Sequence, residues 1–220
     1  MKITHAIFDM DGTLTDSNGV WAEAVYNYID NHCKYKREDI PEIFFSEVIL
    51  GGTYEALAYL RDTMGDDTDF DTIINIIMSH VTESYKKKQQ PKKGAEEFLK
   101  KLKAQGADIC VVTATPSDLA THALNLCGLS EYIDFLISSE DRKTGKESPY
   151  IFLEAAARMN CDIKECTLFE DAIYSLRTGK ALGMTLVGIE DYYCKPHTRT
   201  EIKKICNIYT DDYSSIPLDS

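Results

Sequence analysis

The chain has 220 residues, with 24 Lys plus Arg against 36 Asp plus Glu and a formal net charge of −12. That acidity excludes a nucleic-acid binder held by phosphate contacts, but leaves room for a small phosphorylated ligand in a locally positive site. A hydrophobic fraction of 44%, with only 12 Gly and 6 Pro, excludes disordered and collagen-like chains and fits one large domain or two small ones.

Residues 3–8, ITHAIF, predict a short buried strand ending at Asp9. Over residues 17–88 the apolar residues recur at helical spacing, without a convincing strand. The runs are Val20, Ala24, Val25, Tyr28, Ile29; Ile40, Ile43, Phe44, Val48; Ala56, Leu57, Tyr59, Leu60; and Ile73, Ile74, Ile77, Val81. Gly51-Gly52 separates two of these helices, and the polar stretch from Lys86 to Gly94 suits a hinge. Helical patterns over 94–105, 117–127, 148–159 and 173–182 then alternate with strands over 107–113, 132–138, 166–169 and 184–189. Alternation of this kind predicts an α/β fold, a doubly wound parallel sheet covered on both faces. The catalytic core is expected at 1–16 and 89–220, with an inserted helical cap at 17–88.

Seven cysteines without a CxxC pair read as reduced thiols, Cys110 and Cys166 among them in the core. The N-terminus MKITHAIFDMDG has no apolar segment of signal-peptide length, and no stretch reaches the roughly 18 apolar residues of a membrane span. A cytoplasmic protein without membrane or nucleic-acid partners is expected, acting as a monomer or weak homodimer. Tyr192, Tyr193 and Tyr213 are expected to be packing residues, and Trp21 to sit in the cap core.

Function in such a sheet gathers at the carboxyl ends of the strands. The first strand ends in Asp9-Met10-Asp11-Gly12-Thr13-Leu14-Thr15-Asp16, the second in Thr113 and the fourth in Glu170-Asp171. Lys146 follows the third, at the expected start of a helix. Two carboxylates at i and i+2 of an extended chain share a side, and Gly12 lets the chain turn away. Clustered carboxylates repel unless some are protonated or a divalent cation sits among them, and an all-oxygen site suits Mg²⁺. Lys146 and Thr113 could then hold phosphate oxygens, Asp9 attack phosphorus, and Asp11 exchange a proton with the leaving oxygen and water. Asp16 is expected to fix the turn or cap the next helix.

The segments FDMDGTLTD (8–16), VVTATP (111–116), GKESPYIFLEAA (145–156) and FEDAIYSLRTGKALGM (169–184) resemble the haloacid dehalogenase superfamily, in that order and over nearly the whole chain. The nearest group is the helical-cap phosphatases, similar to phosphoglycolate phosphatase and β-phosphoglucomutase. The resemblance implies Asp9 as nucleophile and Asp11 as acid/base. It implies Mg²⁺ on the Asp9 carboxylate, the Asp11 carbonyl and Asp171, with Glu170 acting directly or through a water. It also implies phosphate binding by Thr113, Ala114 and Lys146. Ala172 and Ser175 stand where relatives often carry Ser and Gly, and Trp21 stands where β-phosphoglucomutase has a cap His. The expected activity is hydrolysis of a small phosphorylated metabolite through an aspartyl phosphate. The alternatives are a phosphosugar mutase, which Trp21 opposes, a dehalogenase, a receiver domain or a non-catalytic binder of phosphorylated ligands. Asn18, Gly52 and Thr53 are the candidate selectors of the leaving group, on the expectation that the cap helices lie over the nucleophile.

Overall fold

The computed structural model describes residues 2–44, 53–87 and 89–219. The chain divides into two compact units, one of Met1–Asp16, Lys88–Tyr192 and Pro196–Ser220, the other of Ser17–Lys87 and Tyr193–Lys195.

The larger unit is built on a six-stranded sheet: β1 (His5–Phe8), β2 (Asp108–Thr113), β3 (Phe135–Ser138), β4 (Cys166–Glu170), β5 (Thr185–Ile189) and β6 (Ile208–Thr210). Its order is β3-β2-β1-β4-β5-β6, and every neighbouring pair is parallel. Strands buried on both faces must be apolar throughout, which is how Ala6-Ile7-Phe8 and Ile109-Cys110-Val111-Val112 read. The chain runs outward from β1 through β2 to β3 and then crosses to β4 on the other side, so the order switches between β1 and β4. In such sheets a crevice opens at the strand ends beside this switch.

Register sets what meets there. Phe8 lies level with Val111 of β2 and Phe169 of β4, so Asp9 emerges beside Val112 and Glu170, one residue short of Thr113. Beneath this edge Phe8 stacks on Phe169 at 4.2 Å, and Phe98 and Tyr213 close the aromatic cluster.

The smaller unit packs α1 (Asn18–His32) against α2 (Thr53–Met64) and α3 (Phe70–Tyr85). Its core is Val25, Tyr28, Ile29, Leu57, Leu60, Ile73, Ile77, Val81 and Tyr85, each at a helical repeat of the sequence pattern. Asp69 caps α3 by accepting from the Thr72 amide at 2.9 Å. Trp21 donates its indole N–H to the Tyr85 hydroxyl at 3.3 Å and ties α1 to α3. A single 3₁₀ turn spans Arg37–Asp39, and Glu42 and Ile43 after it are helical; the rest of the helix expected across Ile40–Val48, from residue 45 on, lies outside the described residues. Ile43 is 56% exposed, against its place in the apolar pattern. Val48, Gly51 and Gly52 lie outside the described residues.

The helices of the larger unit are α4 (Ala95–Ala104), α5 (Ser117–Cys127), α6 (Ser139–Arg142), α7 (Tyr150–Arg158), α8 (Ile173–Leu182) and α9 (Pro196–Ile205). Those of α5 and α8 have the bounds that the sequence predicts. Lys146 does not start a helix: it lies in the turn before Pro149, and α7 begins at Tyr150. Strand β6 and helix α9 escape the sequence pattern, because α9 buries only Ile202 and β6 is three half-buried residues at the sheet edge. Tyr192 is 83% exposed, against its expected packing role, whereas Tyr213 is buried as a packing residue should be. No helix among the described residues is long and apolar enough to cross a membrane.

Candidate active site

The loop after β1 is wound on one carbonyl. Met10 O accepts from the amides of Thr13, Leu14 and Thr15 at 3.2, 2.9 and 2.9 Å, and from the Thr15 hydroxyl at 3.1 Å. So tight a reversal needs Gly12 at φ +82°, in the left-handed region where a side chain is strained. From behind, the Tyr213 hydroxyl donates to the Thr13 carbonyl at 3.2 Å. The outgoing and returning chains then pair antiparallel through Thr15 and Pro91. Asp16 is part of this crossing, with its amide on Gln90 O at 2.8 Å and its carboxylate 3.2 Å from Lys92. The N-cap of α1 is instead Ser17, which makes no capping bond through its side chain.

Asp9 is directed to one side of this loop. Lys146 donates to its Oδ1 at 2.6 Å and to Glu170 Oε1 at 2.5 Å. The other Glu170 oxygen accepts from the backbone amides of Asp171 and Ala172, at 2.7 and 2.9 Å. Single carboxylate oxygens of Asp9, Glu170 and Asp171 lie within 4.8 Å of one another. Among the described residues this is the one group of three such side chains placed to share a cation.

Two buried carboxylates and the half-buried Asp171 face one ammonium. Burial and the Glu170 charge push Asp9 up to about 7, against the pull of Lys146. Burial also drives Asp171 well above the usual carboxylate range, helped by Glu170, Asp9 and Asp191. Glu170 resists burial and is held low, because Lys146 and two backbone amides stabilise its charge. Burial pulls Lys146 down, but Asp9 and Glu170 outweigh it and hold it well above the ordinary lysine value. The pocket is therefore short of positive charge, and its donors are all hard oxygens. That combination fits a divalent cation of the Mg²⁺ type.

Asp11 goes elsewhere. Its Oδ2 accepts from the Thr115 hydroxyl at 2.6 Å, and its carboxylate is not part of the three-carboxylate group. Thr113 is buried at the end of β2, where its Oγ1 accepts from the Thr115 amide at 3.0 Å. Ala114 is exposed at the bend between them. Thus Asp9, Lys146, Glu170 and Asp171 come into contact, and Asp11 joins the Thr113–Thr115 loop. Asn18 opens α1 and Thr53 opens α2 in the smaller unit.

Sequence reasoning passed over two participants. Thr115 lies within VVTATP, and its only signal is a second hydroxyl two residues beyond Thr113. Asp191, buried after β5, pairs with Lys92 at 2.6 Å across 99 positions, a separation without local signal.

The sequence profile of the haloacid dehalogenase-like hydrolases matches residues 3–183. Pyrophosphatase PpaX of Bacillus velezensis is 24% identical over 190 residues, which span 86% of this chain and 83% of that protein. The phosphorylated carbohydrates phosphatase of Thermotoga maritima is 24% identical over 200 residues, spanning 90% and 88%. The crystal structure of a predicted phosphoglycolate phosphatase from Haemophilus somnus superposes with a TM-score of 0.79 at 17% identity, covering 97% of this chain and 96% of that one. With the profile covering most of the chain, and with the acidic loop of β1 at the switch point of a parallel sheet, the protein belongs to the haloacid dehalogenase-like hydrolases.

Proposed function

We propose that the protein is a Mg²⁺-dependent phosphomonoester hydrolase for small phosphorylated metabolites, working through an aspartyl phosphate on Asp9. The observation that carries this reading is the bond from Lys146 to Asp9 at the end of β1, with carboxylate oxygens of Asp9, Glu170 and Asp171 gathered within 4.8 Å of one another and Asp11 turned to Thr115.

Asp9 attacks phosphorus through a carboxylate oxygen, and the ester P–O bond breaks with its electron pair on the leaving oxygen. Asp11 gives that oxygen a proton, so a neutral alcohol departs. Asp11 then takes a proton from water as the water attacks the acyl phosphate, and the pair of the breaking P–O bond returns to Asp9. Lys146 and the Thr113 hydroxyl, with the backbone beside Ala114, bind the phosphoryl oxygens that do not react. Asp9 and Asp171, with the Asp11 carbonyl, would hold Mg²⁺. Glu170 has both oxygens engaged and so favours a role through water. When bound, the cation supplies charge neutralisation at phosphate and keeps neighbouring carboxylates ionised together. The names of relatives that act on phosphorylated carbohydrates support the substrate class. Trp21, engaged with Tyr85 where a mutase has its His, speaks for hydrolysis over isomerisation.

The test is a panel of phosphorylated metabolites scored by kcat/KM. Asp9→Asn should lower turnover on the order of 10³-fold or more, and EDTA should abolish activity that Mg²⁺ restores. Near-wild-type turnover in Asp9→Asn overturns the nucleophile, and full activity in excess EDTA overturns the metal.

A further inference from the structure

The contact between Thr115 and Asp11 lies outside the group of carboxylates around Asp9. Thr115 is 1% exposed, and its hydroxyl reaches Asp11 Oδ2 at 2.6 Å, at the short end for an O–H···O bond. Its backbone is fixed separately, by the bond from its amide to Thr113 Oγ1 at 3.0 Å. The three-residue loop 113–115 therefore reaches two functional groups: it ties the Thr113 hydroxyl and it orients the Asp11 carboxyl.

We propose that Thr115 is the positioning residue for the proton donor, and that it tunes the site to phosphate esters whose leaving oxygen is strongly basic. This inference rests on the hydrolase reading above and adds to it the residue that orients its proton donor. The bond to Oδ2 orients the Asp11 carboxyl from the Thr113–Thr115 loop, and so sets the direction in which it meets the leaving oxygen. An alkoxide is a poor leaving group, and its departure depends on that proton arriving as the P–O bond breaks. A nitrophenolate delocalises its charge and departs without one. Loss of the Thr115 hydroxyl lets Asp11 rotate, which harms the first kind of ester far more than the second.

The experiment compares glycerol 3-phosphate, or the best alkyl phosphate of the panel, with p-nitrophenyl phosphate on a single preparation of each variant. Thr115→Val keeps shape, and keeps the amide that binds Thr113, but removes the hydroxyl. General acid catalysis contributes about 10²–10⁴-fold, so a donor held less well should cost the alkyl ester roughly 10²-fold in kcat/KM relative to p-nitrophenyl phosphate. The comparison uses kcat/KM because it reports the steps through loss of the leaving group and not the hydrolysis of the aspartyl phosphate, which both esters share. Thr115→Ser should restore the wild-type ratio. Because both esters are measured on one preparation, the ratio does not depend on the fraction folded. Equal loss of kcat/KM on both esters, or no loss, overturns the proposal. Asp9→Asn is run in parallel. If the wild type turns over neither ester, the hydrolase reading itself fails, and if Asp9→Asn spares turnover, the aspartyl-phosphate mechanism fails; if Asp9→Asn abolishes both activities while the Thr115→Val ratio stays put, only the role of Thr115 fails.

Discussion

Asp66 shows how single groups set the stability of the helical unit. It is buried, and it accepts from the Tyr28 hydroxyl at 2.7 Å and the Thr68 amide at 3.0 Å, with weaker bonds from Cys33 and Tyr35 at 3.5 Å. Burial would raise its carboxyl, but these donors outweigh it and hold Asp66 below the usual carboxylate range. A depressed carboxylate stabilises the fold above its unfolded value of 3.8, and the contribution disappears as pH falls through the lower folded value. Asp66→Asn should therefore destabilise by about 1–2 kcal/mol at pH 7, because hydrogen bonds to a charged acceptor are lost. Denaturant titrations at several pH values should show wild type and variant converging below about pH 4. A gap that stays constant down to pH 3 would mean the charge of Asp66 contributes nothing.

Among the elements, α8 places the acidic pair at the end of β4. It follows Glu170 and Asp171 after one residue, Ala172, and lies against β4 and β5. Gly179 permits this approach, since a Cβ there would meet Leu168 Cδ2 at 2.7 Å and Leu186 Cδ2 at 2.9 Å, both of them core side chains. Helix propensity alone favours Ala over Gly by about 1 kcal/mol. Overpacking a dense core costs about 1–3 kcal/mol, and two leucine methyls must move at once here. Overpacking wins, so Gly179→Ala should lower stability by about 1 kcal/mol in a denaturant melt. A stabilised variant would show that the leucines give way freely.

At the scale of the larger unit, one ion-pair node joins segments remote in sequence. Lys92, on the returning chain, meets Asp191 after β5 at 2.6 Å and Asp16 after the acidic loop at 3.2 Å. Lys92 and Asp191 are nearly closed to water, unlike exposed pairs such as Lys34 with Asp67. Breaking a buried pair from one side costs about 3–5 kcal/mol, while exposed pairs are worth about 0–1. Lys92 keeps Asp16 when Asp191 is removed, so Asp191→Ala should cost about 2–3 kcal/mol and Asp67→Ala almost nothing. Comparable melts for the two variants would show that burial gives this node no special weight.

What could be read from the sequence was local. Alternating apolar segments name the strands β1 to β5, since a strand buried on both faces has no room for polar residues. The Asp9–Asp11 spacing after β1, Lys146 after β3 and Glu170-Asp171 at the end of β4 are legible because strand ends are where such a sheet exposes chemistry. Helical repeats likewise name α1, α2 and α3. The sequence could not say that Asp9 and Asp11 part company, one to Lys146 and the other to Thr115, because rotation about the Gly12 turn depends on partners 104 and more positions away. Nor could it mark α9, β6, or the Lys92–Asp191 node. An edge strand and a polar helix carry little periodic signal, and a contact across 99 positions leaves no spacing to read. Composition and period determined which segments form and which face they bury. Only the parallel register of β1 with β2 and β4, a product of tertiary packing, decided which side chains meet and therefore which proton and which charge each can control.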